Sequence, residues 1–139
     1  MTSRVKVRLA LLGMLLVASL GLSACGGSVS AMPSTATNQG AALAKELGCL
    51  TCHAVSTSEK DNKLGPLLAG LYGATVRLAD GREVTADDIY IRQSILQPDA
   101  ATVEGYSVGV MAAGIERHKP RIEARDTVEA LLAYIKSLE

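Results

Sequence analysis

The pentapeptide Cys49-Leu50-Thr51-Cys52-His53 constrains this chain more than any other stretch of it. The spacing C-x-x-C-H is that of covalent haem attachment, because two thiols three positions apart on a helical turn can reach both vinyl groups of one haem. The adjacent histidine then lies beneath the iron as an axial ligand. The pattern therefore predicts that Cys49 and Cys52 bind a c-type haem and that His53 ligates its iron.

Two other interpretations of the cysteine pair stay open on the pattern alone. A C-x-x-C pair is also the redox motif of thioredoxin-like proteins, although that motif accompanies a βαβ unit, which the preceding sequence does not indicate. Half of a zinc site is the other interpretation, but it requires a second Cys/His pair, and His118 is the remaining histidine.

The composition indicates one domain with a modest core. The chain has 139 residues, with four Tyr and neither Phe nor Trp. A bound haem could supply the flat apolar surface that aromatic rings usually provide, but a core of Leu, Ala and Val alone is the alternative. Basic and acidic residues number 14 each, and the sequence has no basic run interleaved with aromatics, so we expect no nucleic-acid partner.

The N-terminus has the features of an export signal. Arg4, Lys6 and Arg8 precede an apolar run of about 14 residues from Leu9 to Leu22, which is the arrangement of a secretory signal peptide. A membrane-spanning helix needs about 20 residues, so an uncleaved anchor is the less favoured alternative. We therefore expect an exported protein on the periplasmic or another extracytoplasmic face.

The end of this run, Leu22-Ser23-Ala24-Cys25, resembles a bacterial lipobox, in which the cysteine is acylated and becomes the first mature residue. An ordinary peptidase site beside Cys25 is the alternative, but the lipobox also accounts for a third, unpaired cysteine. Several acyl chains on Cys25 would anchor the protein stably to a membrane. We expect a lipoprotein signal peptide over 1–24, a flexible linker over 25–37 and a haem domain over 38–139.

A helix is predicted immediately before the pentapeptide. Asn38 is suited to cap it, and apolar spacing extends it from about Gln39 to Leu47. After His53, a backbone carbonyl near Pro66 could accept a hydrogen bond from the second ring nitrogen of that histidine. Such a bond would fix the tautomer of the ring and strengthen it as a ligand.

A hairpin and two more helices are predicted downstream. The hairpin has Asp80-Gly81 in its turn. The middle helix begins at a capping box of Thr85 and Asp88 and stops before Pro98. Its inward residues are expected to be Ile89, Ile95 and Leu96. A loop follows as far as about Ala124, and the last helix has apolar residues at helical spacing: Val128, Leu131, Leu132, Ile135 and Leu138.

Met111 and His118 are the candidates for a second axial ligand. The other methionines fall in the predicted signal and linker. Met111 lies far enough beyond His53 for the chain to pass around a haem edge, whereas His118 lies in a charged stretch. Met111 is therefore favoured and His118 is the alternative; Met/His ligation raises the reduction potential relative to two histidines.

Residues 38–139 resemble a class I bacterial monohaem cytochrome c, and most of all the cytochrome c domain fused to subunit II of some terminal oxidases. The resemblance covers nearly the whole domain. Its ordered signatures are Gly48-Cys49-x-x-Cys52-His53, Leu64-Gly65-Pro66, Gly70-Leu71-Tyr72-Gly73, Asp80-Gly81, Tyr90 to Pro98, Gly105-Tyr106, Met111, and Ala130 to Leu138.

The resemblance implies an all-α class I cytochrome c fold with a small hairpin insertion, in which the first and last helices cross around one covalently bound haem c. It implies that Gly40 packs against Leu131 or Tyr134 at the crossing, and that Met111 is the distal ligand. It also implies that Tyr72, Tyr106 or Arg92 lies near the haem propionates.

The function expected on these grounds is that of a membrane-tethered electron carrier, not of an enzyme in the usual sense. Its expected partners are a quinol-oxidising complex and a terminal oxidase. A fixed haem subunit of a larger oxidase or dehydrogenase complex is one alternative. A gas-binding or peroxidase haem protein is another, but it requires an open iron position, and ligation by Met111 argues against that.

Overall fold

A computed structural model describes residues 34–59 and 63–138. Helices predominate over this part of the chain and are accompanied by a two-stranded antiparallel sheet, which places it in the all-α class. In order, the elements are α1 (Thr35–Glu46), α2 (Cys49–Cys52), β1 (Thr75–Arg77), β2 (Glu83–Thr85), α3 (Asp88–Leu96), a 3₁₀ helix (Pro98–Ala101), α4 (Val110–Glu116), α5 (Lys119–Ile122) and α6 (Arg125–Lys136).

Two sequence predictions concern the N-terminal region. The signal peptide over 1–24 and the acylation of Cys25 lie outside the described residues. Within the described ranges, no helix is both long enough and apolar enough to cross a membrane.

Helix α1 begins one turn earlier than predicted. The hydroxyl of Ser34 accepts a hydrogen bond from the backbone N–H of Thr37 at 3.2 Å, so Ser34 is the cap and Asn38 lies inside the helix. The helix ends before Gly48, whose φ of +76° suits a residue without a side chain. This glycine allows a second helix, α2, to start at once.

Helices α1 and α6 approach each other closely at Gly40. A Cβ atom on Gly40 would overlap the carbonyl oxygen of Ala130 and lie 2.7 Å from the Cβ of Tyr134. The expected contact of Gly40 with Tyr134 is thus present, and Ala130 takes the place expected for Leu131. The first and last helices of the described chain therefore pack backbone against backbone, which a side chain at position 40 would prevent.

The main apolar core lies between α1, α3 and α6. Its larger buried members are Leu43, Leu47, Leu68, Ile91, Ile95, Ile122, Val128, Leu131, Leu132 and Ile135. Cys49 and Leu50 of α2 pack against this core. The core therefore fixes the position of the pentapeptide.

The predicted hairpin is confirmed. Strands β1 and β2 pair antiparallel with Val76 opposite Val84. Gly81 in the connecting turn has a φ of +85°, which glycine adopts without the steric cost that a side chain brings. Val76 packs with Leu78 and Ala86 in a second, smaller apolar cluster.

Helix α3 ends where predicted, but its start and its buried face differ. The carboxylate of Asp87 caps the helix, because it accepts a hydrogen bond from the backbone N–H of Tyr90 at 2.8 Å. The predicted capping box does not form, since Thr85 belongs to strand β2. The expected inward residues Ile89 and Leu96 are 74% and 43% exposed. The buried pair is Ile91 and Ile95, which lie one turn apart and face the core.

The stretch from Pro98 to Ala124 is not the loop that was predicted. It contains the 3₁₀ helix and the short helices α4 and α5. None of these runs is long enough to show a clear apolar period, so pattern alone could not identify them. The hydrogen bond from Gly109 N–H to Asp99 Oδ1, at 2.8 Å, ties the start of α4 to the 3₁₀ helix.

Candidate functional site

The pentapeptide forms one wall of a cavity. Cys49 and Cys52 are the first and last residues of α2, and both are free thiols. His53 follows in extended conformation, and its N–H donates to the carbonyl of Cys49 at 3.0 Å. All three residues line the same cavity, so the short helix presents two thiols and one imidazole to a common space.

The orientation of the His53 ring is fixed by its contacts with Pro66 and Gly65. Its Nδ1 lies 2.7 Å from the carbonyl oxygen of Pro66, which is the hydrogen bond expected from the sequence. Because a carbonyl can only accept, Nδ1 carries the proton and Nε2 is left with the lone pair that a metal requires. Gly65 packs on the ring so closely that a Cβ there would lie 2.7 Å from Cε1 of His53. The N–H of Gly65 donates to the carbonyl of Cys52 at 2.8 Å, which holds the two segments together.

Burial keeps this imidazole neutral. Desolvation lowers the pKa of His53, the hydrogen bond to Pro66 opposes that effect, and the positive charge of Lys63 lowers the pKa further. A pKa below the ordinary value of about 6.5 means that the ring is uncharged at neutral pH. Neutral imidazole is the form that binds metals.

Cys49 does not have the lowered pKa of an attacking redox thiol. Burial is the main cause that raises the pKa of Cys49. The attacking thiol of a thioredoxin-like pair instead needs a lowered pKa, because the thiolate is the nucleophile. The environment of Cys49 therefore favours a protonated thiol and disfavours the redox-motif interpretation.

The cavity has a volume of about 670 Å³, within the range of about 300–1,000 Å³ that encloses small molecules and cofactors. Its walls are mostly apolar. Met111 and His118, the two candidate distal ligands, both line it, as does Tyr106. The structure thus brings both candidates into one space with His53.

Two of the candidates for the surroundings of the propionates do not line the cavity. The guanidinium of Arg92 makes two hydrogen bonds, of 2.9 and 2.8 Å, to the carboxylate of Glu129 on α6. Tyr72 is 42% exposed, and the centroid of its ring lies 4.3 Å from Nζ of Lys136. Neither Arg92 nor Tyr72 is among the residues that line the cavity.

The sequence placed Ile95 inward but did not identify the other residues that α3 and the 3₁₀ helix contribute to the cavity wall. Helix α3 contributes Tyr90, Ile91, Ser94 and Ile95, and the 3₁₀ helix contributes Asp99. The spacing i, i+1, i+4, i+5 along α3 marks one helical face. Ser94 is the small polar residue within that face, and this pattern was readable in the sequence.

No protein-family model and no curated protein matches the chain. Over the part of the chain that the structure describes, no three His, Cys, Asp or Glu side chains are grouped to hold a metal ion. The pentapeptide and the cavity that it faces are therefore the features that indicate a function.

Proposed function

We propose that this protein is a membrane-tethered monohaem cytochrome c of the class I fold, which transfers single electrons between respiratory partners. Cys49 and Cys52 hold one haem c, and His53 and Met111 are its axial ligands. The observation that carries the proposal is the C-x-x-C-H helix on the wall of a 670 Å³ apolar cavity, with His53 Nδ1 bound to a backbone carbonyl.

The donor set fits this group. Two free thiols three residues apart match the two thioether bonds of haem c. A neutral imidazole, hydrogen-bonded through Nδ1, is the form of histidine that ligates haem iron through its other nitrogen. An apolar cavity disfavours water and so suits the large apolar face of a porphyrin.

The proposed second ligand comes from a distant part of the chain. Met111 belongs to α4, far from the pentapeptide in sequence, yet it lines the same cavity. His118 lines it too and lies in the turn that follows α4. We assign the distal position to Met111, since a thioether suits a high-potential electron carrier.

The bound haem supplies a one-electron couple, and the residues of the chain determine how that couple behaves. Pro66 and Gly65 hold His53 in one orientation, which limits rearrangement between oxidation states. Three exposed side chains also line the cavity and so border its opening: Leu64, Tyr106 and Val110. An apolar border of this kind suits brief contact with a redox partner.

The partners proposed are a quinol-oxidising complex as donor and a terminal oxidase as acceptor. Acylated Cys25 would keep the domain at the membrane where both reside. Tethering raises the effective concentration of the domain at its partners without any further contact.

Covalent attachment gives the decisive test. After denaturing electrophoresis, the full-length protein should retain haem on the polypeptide, and the Cys49→Ala/Cys52→Ala variant should retain none. Cys25→Ser is the matched control, because it removes the third cysteine but should leave the haem attached and release the protein from the membrane fraction. A wild-type band without haem would overturn the proposal.

Replacement of each candidate distal ligand identifies the one used. Met111→Ala should abolish the sulfur–iron charge-transfer absorption of the ferric protein and open the iron to carbon monoxide, whereas His118→Ala should do neither. A wild type that lacks this band, together with a His118→Ala variant whose iron binds carbon monoxide, would assign the distal position to His118.

A further inference from the structure

Lys63 is held against the pentapeptide by a hydrogen bond. Its Nζ donates to the backbone carbonyl of Leu50, the second residue of α2, at 2.8 Å. A surface lysine usually keeps its ammonium group in water and loses side-chain entropy when it is fixed in one position. Lys63 is instead half-buried, so its charge lies against the pentapeptide and not in bulk solvent.

This contact is one of a set that joins the segment following the pentapeptide to α2 and to the residues just after it. A helix leaves its last carbonyls without partners of its own. Gly65 N–H donates to the carbonyl of Cys52 at 2.8 Å, and Leu68 N–H donates to that of Ala54 at 2.9 Å. These two donors are neutral amides, whereas Lys63 brings a full positive charge. The set therefore fixes the place of that charge.

The charge of Lys63 lies beside the segment that carries His53. Leu50 is three residues before His53, and Gly65, two residues after Lys63, packs on the imidazole ring. The charge reaches the ring, since it is one of the causes that lower the pKa of His53. Within residues 34–59 and 63–138, no carboxylate oxygen lies within 4.0 Å of Nζ of Lys63.

A positive charge at this place disfavours the oxidised state of a haem bound to the pentapeptide. Ferric haem carries one more positive charge than ferrous haem, so a nearby cation repels the ferric form more strongly. A half-buried charge is screened by solvent and salt less than an exposed one. The effect of Lys63 should therefore exceed that of a lysine on the open surface.

We propose that the ammonium group of Lys63, fixed on the carbonyl of Leu50, raises the reduction potential of the haem. The inference rests on the proposed attachment of haem at Cys49 and Cys52 and on its ligation by His53. Lys63 forms no covalent bond and gives up no proton. The electron comes from the redox partner, or from a mediator in a titration, and the charge shifts only the equilibrium.

The test is a redox titration of the full-length, haem-loaded protein against mediators of known potential. Lys63→Met removes the charge and keeps an unbranched side chain, and we expect the equilibrium constant for reduction to fall about three- to tenfold. Lys63→Arg keeps the charge and should stay within about twofold of wild type. Lys45→Met is the matched control. It removes an exposed lysine of α1 and should change the constant by less than about twofold, because solvent and salt screen that charge.

Lys63→Gln separates the charge from the hydrogen bond, because glutamine is neutral but keeps an N–H donor. Its reduction constant should fall as that of Lys63→Met does. A constant equal to that of wild type would overturn the inference, because it would show that the hydrogen bond and not the charge acts on the haem.

Other results would also count against Lys63. An unchanged constant in Lys63→Met would overturn the inference, and so would an equal fall in Lys45→Met. If Lys63→Met retains no haem, Lys63→Gln and Lys63→Arg form the comparison, and equal constants in these two would overturn it. A wild type without covalently attached haem would instead refute the proposed function, and the inference with it.

Discussion

Replacement of Gly40 by alanine tests the packing on which the position of the haem motif depends. In an isolated helix, Gly→Ala stabilises by about 0.5–1 kcal/mol. In this protein the added Cβ would overlap the carbonyl oxygen of Ala130 and lie 2.7 Å from the Cβ of Tyr134. Both obstacles belong to or adjoin the backbone of α6, so α1 and α6 must separate, and overpacking of this kind costs about 1–3 kcal/mol.

The assay is thermal and denaturant unfolding of Gly40→Ala beside wild type. We expect the unfolding free energy to fall by about 1–3 kcal/mol, and each 1 kcal/mol to lower the midpoint by roughly 4–8 °C in a domain of this size. Ala42→Gly is the matched control, because it makes the reverse exchange at an exposed position of α1 and should cost only about 1 kcal/mol. A Gly40→Ala variant as stable as wild type would refute the close crossing.

Further predictions concern the site and its supports. Gly65→Ala places a Cβ 2.7 Å from Cε1 of His53. We expect the haem spectrum to change and the free energy of unfolding to fall by about 1–3 kcal/mol. Asp99→Ala removes the acceptor that holds the start of α4, so the iron should bind carbon monoxide more readily than in wild type, as a carbon monoxide titration would show. The pKa of Asp88 is lowered chiefly by its hydrogen bond to Lys136, so its contribution to stability is present above about pH 4 and is lost as the pH falls. The free energy of unfolding, measured from pH 6 down to about pH 2, should therefore decline less in Asp88→Asn than in wild type.

The sequence predicted those parts of the fold and site that depend on local pattern. The pentapeptide, the His53–Pro66 hydrogen bond and the Asp80-Gly81 hairpin each involve a spacing or turn preference that is visible in the chain. The stop of α3 before Pro98 is of the same kind, since proline constrains the residue before it.

The other parts of the fold and of the site depend on contacts between segments that are distant in sequence. Arg92 and Tyr72 contact Glu129 and Lys136 on α6, and no local pattern shows such partners. The buried face of α3 was misplaced because its phase is set by packing against α1 and α6.

The visible spectrum of the purified protein, ferric and ferrous, with and without carbon monoxide, tests the central claim most directly. Ligation of a covalent haem by His53 and Met111 predicts a six-coordinate, low-spin spectrum with a sulfur–iron band, unchanged by carbon monoxide. A high-spin spectrum that shifts when carbon monoxide is added would contradict this claim, because it would show an open iron position suited to binding gases or peroxide.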